Sequence, residues 1–131
     1  TGLALAGGTL VSGGYDGQLT WFDTAAGKVV RTHDAHAKWI RRVAASPDGK
    51  LVASVADDML CKVWDAGTGE LVHTLRGHQE KTPHDFPSML YAVAFSPDGA
   101  LLATGDKVGH VAVWDAKTRR QVGACEAPVM Y

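Results

Sequence analysis

The 131 residues, 13.9 kDa, match the length of one ordinary domain. Apolar residues make up 46% and charged residues 21%, which excludes wholesale disorder. Fourteen acids against 13 bases leave a net charge of −1, which disfavours both a basic nucleic-acid binder and an acidic tail. No apolar run is long enough to span a membrane, so no membrane partner is expected. The N-terminus lacks the basic start and apolar core of a signal peptide. Cys61 and Cys125 stand far apart, with no CxxC spacing, and read as small apolar strand residues rather than a disulfide framework. A cytoplasmic location is the favoured expectation.

Taken in chain order, the first stretch carries Leu10-Val11-Ser12, Tyr15-Asp16-Gly17 and Phe22-Asp23. Its Asp23 to Gly27 connection closes on glycine. The second stretch reads as four short strands rich in Val, Ile, Leu, Trp and Thr, at 39–45, 50–56, 60–64 and 71–76. Between the first two lies Ser46-Pro47-Asp48-Gly49, where Pro presets φ and Gly supplies a positive φ. The third stretch repeats these signals 50 residues later as Ser96-Pro97-Asp98-Gly99, Leu101-Leu102-Ala103-Thr104 and Val113-Trp114-Asp115. The first stretch aligns with the second at an offset of 42. The 8-residue difference falls between Gln79 and Met89. Arg119 stands where glycine closes the other two last turns, so strain or a different turn type is expected there. No stretch of helical length shows a 3.6-residue period, so the expected class is all-β.

Few residues invite a chemical reading. His33-Asp34-Ala35-His36 has a compact ligand-like spacing, but a metal site needs three or four convergent ligands. His73 reads as a solvated edge residue. Asp57-Asp58 lacks a partner acid or base for catalysis, and Asp57 is expected on an exposed turn. No nucleophile elbow, HExxH, P-loop or dinucleotide fingerprint occurs. Gly7-Gly8 and Gly13-Gly14 open no helix and so cradle no phosphate in the usual way. No catalytic residue, metal or cofactor is expected.

Four-stranded units repeating every 42 to 50 residues resemble the blades of a β-propeller, and the motifs resemble WD40 repeats over essentially the whole chain. The units are expected at about 1–32, 33–76 and 77–131. In the WD40 family a His, a Ser or Thr, an Asp and a Trp form a hydrogen-bonded tetrad within a blade. The resemblance puts His36, Ser54, Asp58 and Trp64 in those places. The third unit keeps His78, Thr104 and Trp114 but has Val108 for the acid. Asp106, two residues earlier, substitutes only if the turn is remodelled. The first unit keeps Ser12 and Asp16 but has Phe22, which cannot donate a hydrogen bond. One tetrad should therefore be whole and two incomplete.

Resemblance also implies where partners dock: beside the turn acid, at the start of the first strand of each unit, and on the long connections. These positions are Tyr15, Asp57 and Lys107, then Arg41 and Tyr91, and then Lys81, His84 and Phe86 of the inserted segment. Lys38, Arg41 and Arg42 form a local basic cluster, yet the net charge favours a protein or peptide partner over nucleic acid. The implied function is a non-catalytic protein–protein interaction scaffold. The alternative is a regulatory or sensing module of a larger multidomain enzyme or signalling protein. Chemistry at a central channel is the remaining class, with His84 and Asp85 its only nameable residues. Three blades do not close a ring, since propellers use 4 to 8. The remaining blades are expected from the rest of a longer chain or from homo-oligomerisation.

Overall fold

A computed structural model describes residues 2–75, 90–106, 109–118 and 120–126. Among them are twelve strands and no helix. The first sheet holds β1 (Gly2–Ala6), β2 (Thr9–Gly13), β3 (Gln18–Asp23) and β4 (Lys28–Asp34). The second holds β5 (Ile40–Ala45), β6 (Leu51–Ala56), β7 (Cys61–Asp65) and β8 (Leu71–Leu75). The third holds β9 (Leu90–Phe95), β10 (Leu101–Asp106), β11 (His110–Asp115) and β12 (Gln121–Glu126). Each sheet is an antiparallel meander whose strands pair in sequence order. The first sheet runs on to Asp34, so His33 lies on its last strand rather than at the start of the second unit.

Turn chemistry recurs as the same bond set. Ser46 Oγ donates to Asp48 Oδ1 at 2.6 Å, Lys50 N donates to the same oxygen at 3.0 Å, and Leu51 N donates to Ser46 Oγ at 3.0 Å. Ser96, Asp98, Ala100 and Leu101 repeat all three distances. Gly49 and Gly99 close these turns at φ 73° and 74°, a region glycine enters without steric cost. The Asp ending the third strand of each sheet accepts two N–H groups of the next turn. Asp23 takes Ala25 and Ala26, Asp65 takes Gly67 and Thr68, and Asp115 takes Lys117 and Thr118. The repeated acids thus brace turns.

Strand alternation gives each sheet two apolar faces. Ala4, Val11, Leu19 and Trp21 meet Ile40, Val43, Val52 and Trp64 in the joint between the first and second sheets. Ala53, Val55, Cys61 and Val63 meet Leu90, Leu102, Ala112 and Trp114 in the next. A fully buried side chain of this size contributes about 2 kcal/mol, roughly twice a net hydrogen bond. Apolar packing, more than polar contact, therefore binds sheet to sheet. β1 packs beside β5 and β5 beside β9, so the first strands converge while the last strands splay. That fan brings the b–c turns, between the second and third strands of each sheet, onto one end together with the starts of β5 and β9. Burial pushes the Cys61 thiol up to about 12, which leaves it a packing group.

Candidate interaction face

The second sheet builds a polar network at this end. His36 Nδ1 lies 2.9 and 3.1 Å from the two Asp58 oxygens, and its Nε2 lies 2.7 Å from Ser54 Oγ. Trp64 Nε1 donates to the same hydroxyl at 3.0 Å. Asp58 accepts from Nδ1, and Ser54 Oγ accepts from the indole while hydrogen-bonding Nε2. Burial alone would push the Asp58 carboxyl up. Its hydrogen bond and charge interaction with His36, and the N–H groups of Leu60 and Ala37, outweigh burial and hold it below the ordinary carboxylate range.

The network is anchored to the neighbouring sheet by backbone. Gly17 O accepts from Ala35 N at 3.1 Å and His36 N at 3.0 Å, and Gly14 O accepts from Ile40 N at 3.2 Å. Gly17 has φ 84°, and a Cβ there would strike the His36 carbonyl oxygen. Glycine is therefore required both for the turn and for the docking.

The three b–c turns share one frame. Gly17, Met59 and Gly109 N donate to Gly14, Ala56 and Asp106 O at 3.1–3.2 Å. In each turn a carboxylate also braces the N–H one residue after that donor. Asp16 takes Gln18, Asp58 takes Leu60, and Asp106 takes His110 at 2.9 Å. Asp106 does this from the end of β10, and it also lies 3.2 Å from His110 Nδ1. Trp114 Nε1 donates to Thr104 Oγ1 at 3.3 Å. Ser12 is half-buried on β2, and Phe22 sits on β3.

Asp57 corrects an expectation. It is not on an exposed surface: it is 8% exposed and receives Arg41 Nε at 2.7 Å and Nη2 at 2.9 Å. This fork fixes the guanidinium as a plane. The hydrogen bond to Asp57, opposed in part by burial, holds the Arg41 pKa above its ordinary value. Its Cζ stacks 3.7 Å from the Trp39 ring centroid and 5.1 Å from that of Tyr91. Tyr15 joins from the first sheet, its ring centroid 5.1 Å from Trp39. Tyr15 is 75% exposed and Tyr91 37%. Residues from three sheets thus form one stack: Tyr15, Trp39, Arg41 and Tyr91.

Backbone irregularity aims two of them. The β5–β6 register shifts between Ile40 and Arg42, and the β9–β10 pairing shifts so that Asp106 faces Leu90 while Gly105 faces Ala92. The extra residues are Arg41 and Tyr91, at equivalent places in the two sheets. A bulge re-aims a side chain that regular alternation would send elsewhere. Beside them opens a groove of about 480 Å³ lined by Trp39, Arg41, Arg42 and Tyr91. Trp39 and Arg42 had not been singled out as contact residues. The only signal for Trp39 is its place just before β5, and the groove that recruits Arg42 has no local signature.

His78, Lys81, His84, Asp85, Phe86, Lys107, Val108 and Arg119 lie outside the described residues. Among the described residues no group of three His, Cys, Asp or Glu could hold a metal. His33 stacks against Trp64 at 5.8 Å and meets Trp21 edge-on at 5.3 Å, between the first two sheets. His73 is half-buried and lines an apolar crevice between the second and third sheets with Val63, Leu75 and Trp114. The neighbouring sheet covers an edge that the sequence leaves open.

The family model for the WD domain, G-beta repeat, matches residues 27–65 and 69–115. The chain belongs to the WD40 family. It is similar to nuclear distribution protein PAC1 of Coccidioides posadasii, 35% identical over 78 residues, covering 60% of this chain and 17% of that protein. It is also similar to WD repeat-containing protein SL1-17 of Schistosoma mansoni, 41% identical over 66 residues, 50% of this chain and 22% of that one. Among solved structures, the computationally designed Ika8 superposes with a TM-score of 0.81 at 31% identity, covering 95% of this chain and 36% of Ika8. The designed Ika4 gives 0.80 at 32%, covering 94% of this chain and 69% of Ika4. The WD40 chain therefore spans less than a quarter of the length of these curated relatives, and its three sheets are β-propeller blades.

Proposed function

We propose that this WD40 segment is a non-catalytic scaffold that binds a protein or peptide across the face holding Tyr15, Trp39, Arg41 and Tyr91. The observation that carries the reading is the three-sheet aromatic–arginine stack. Its guanidinium is locked by Asp57, so little side-chain entropy is left to lose on binding. Aromatic and arginine side chains are the residue types that dominate interface energetics. Partially exposed rings over a fixed base suit contact with an extended segment. The tetrad residues His36, Ser54, Asp58 and Trp64 serve this face by holding its turns, and they touch no partner themselves. The small share of each relative that the chain covers favours further blades supplied by a longer chain, and a module within a larger protein.

Panning a random peptide library against the immobilised chain tests the reading. Enriched peptides should bind the native chain and lose about tenfold or more in affinity to the double variant Tyr15→Ala, Tyr91→Ala, since two interface aromatics carry more than 1.4 kcal/mol between them. They should bind Val29→Ser, altered on an outer strand, as well as the native chain. Binding untouched by the double variant would place recognition elsewhere, and a panning that enriches nothing would reject the scaffold reading for this face.

A further inference from the structure

The chemistry of the groove beside the stack specifies its ligand more closely. We infer that it accepts an extended acidic peptide, with a carboxylate at Arg42 and an apolar side chain packed against the exposed edge of the Trp39–Arg41–Tyr91 stack. This rests on the scaffold reading above and adds the partner class.

The argument begins with charge. Three cations cluster here in sequence: Lys38, Arg41 and Arg42. The structure removes one of them, because Arg41 is neutralised by its two bonds to Asp57. Arg42 is exposed, lines the groove, and has no carboxylate partner among the described residues. Lys38, the residue before Trp39, is also exposed and also without one among them. The other described acids nearby are engaged. Asp57 holds Arg41, and Asp58 holds His36. Asp16 is exposed on the Tyr15 side, where it braces Gln18 N, and it does not line the groove. The local potential is therefore positive at the Arg42 end and falls toward Tyr15, in a chain whose overall charge is −1.

Shape and polarity narrow the ligand further. The groove walls include an indole and a phenol ring with the Arg41 guanidinium stacked on both, so an apolar side chain or peptide plane can lie against the exposed ring edges. A lone carboxylate would use Arg42 but leave both rings idle. A basic segment would face an unpaired like charge, which costs specificity strongly at an interface. A nucleic-acid strand can stack on the rings, but it needs a track of cations along its backbone. Affinity for a phosphate backbone grows with the number of cations that contact it, and the groove offers only Arg42 and the nearby Lys38. An acidic peptide uses what is present: one or two charge-assisted hydrogen bonds and one apolar contact.

The panned peptides supply the test. Their sequences should be enriched in Asp and Glu next to an aromatic or aliphatic residue. A synthetic, fluorescein-labelled version of the most enriched peptide should bind less tightly as salt rises from about 50 to 500 mM, because exposed pairs are screened. Arg42→Glu should weaken it about tenfold or more through like-charge repulsion, with the circular dichroism spectrum unchanged. Arg42→Lys should retain most of the affinity. Three outcomes overturn the acidic-peptide inference while leaving the scaffold reading standing. They are enriched peptides without acidic bias, affinity indifferent to Arg42→Glu, and a uridine oligonucleotide that displaces the peptide at equal concentration. An empty panning overturns both.

Discussion

The second and third blades carry the same turn and strand motifs 50 residues apart, yet different acids brace their b–c turns. In the second, Asp58 accepts from both His36 and the turn amide of Leu60, linking the turn to β6 and β7 through Ser54 and Trp64. In the third, Val108 stands at that position and Asp106 supplies the amide brace from the end of β10. The turn frame is the same, with Met59 N and Gly109 N bonding back to the carbonyls of Ala56 and Asp106. In the second blade one acid therefore does two jobs. Bracing a turn requires only a carboxylate within reach of one amide, and two positions satisfy that. In the second blade the carboxylate at the turn itself also reaches a histidine on the preceding connection.

The largest way to break the comparison lies where the second blade's network docks on the first sheet. Gly17→Ala should cost about 3 kcal/mol or more in urea unfolding, since it adds backbone strain to a collision with the His36 carbonyl. Gly7→Ala is the control: its φ is 64° but nothing lies within 4 Å, so it should cost only about 1 kcal/mol. Equal costs would mean that the docking against Gly17 carries no energy.

Next in size is Asp58 itself. Asp58→Ala should cost roughly 1–3 kcal/mol, because it strips His36 of its acceptor. The carboxyl is held below its ordinary value, so its stabilisation is fully present above about pH 4 and is lost as pH falls through the lowered folded-state value. Asp58→Asn should flatten that acid limb in a series of melts. An unchanged limb would show that the His36–Asp58 pair does not set it.

The smallest effect should sharpen the comparison from the other side. Met59 occupies a left-handed position, φ 68°, that Gly17 and Gly109 fill in the other blades. Met59→Gly should stabilise by about 0.5 kcal/mol, the steric relief exceeding the entropy cost of glycine. A lowered urea midpoint would mean that Met59 side-chain packing outweighs its backbone strain.

Much of this was readable from the chain. The strands at 51–56 and 71–75 fall within one residue of where alternation and turn residues put them, since both signals act over a few neighbouring residues. The paired turns at Ser46 and Ser96 were legible for the same reason. The Arg41–Asp57 pair was not. Both residues read as surface charges, and the one-residue bulge that joins them exists only against a partner strand. His73 reads as an edge residue because side chains that cover it belong to the neighbouring sheet, and the rings that hold His33 lie on other strands.

By itself, the sequence determined the repeating four-stranded unit, the chemistry of its turns, and the set of residues from which one blade builds its buried network. Each of these depends on spacing within a single unit. Only the tertiary structure decided which charges remain available. The bulge between β5 and β6 cancels Arg41 against Asp57, packing of the third sheet brings Tyr91 over the guanidinium that already stacks on Trp39, and Arg42 is left facing an open groove. Those outcomes depend on contacts between units 50 residues apart and on two bulges, which no local pattern encodes.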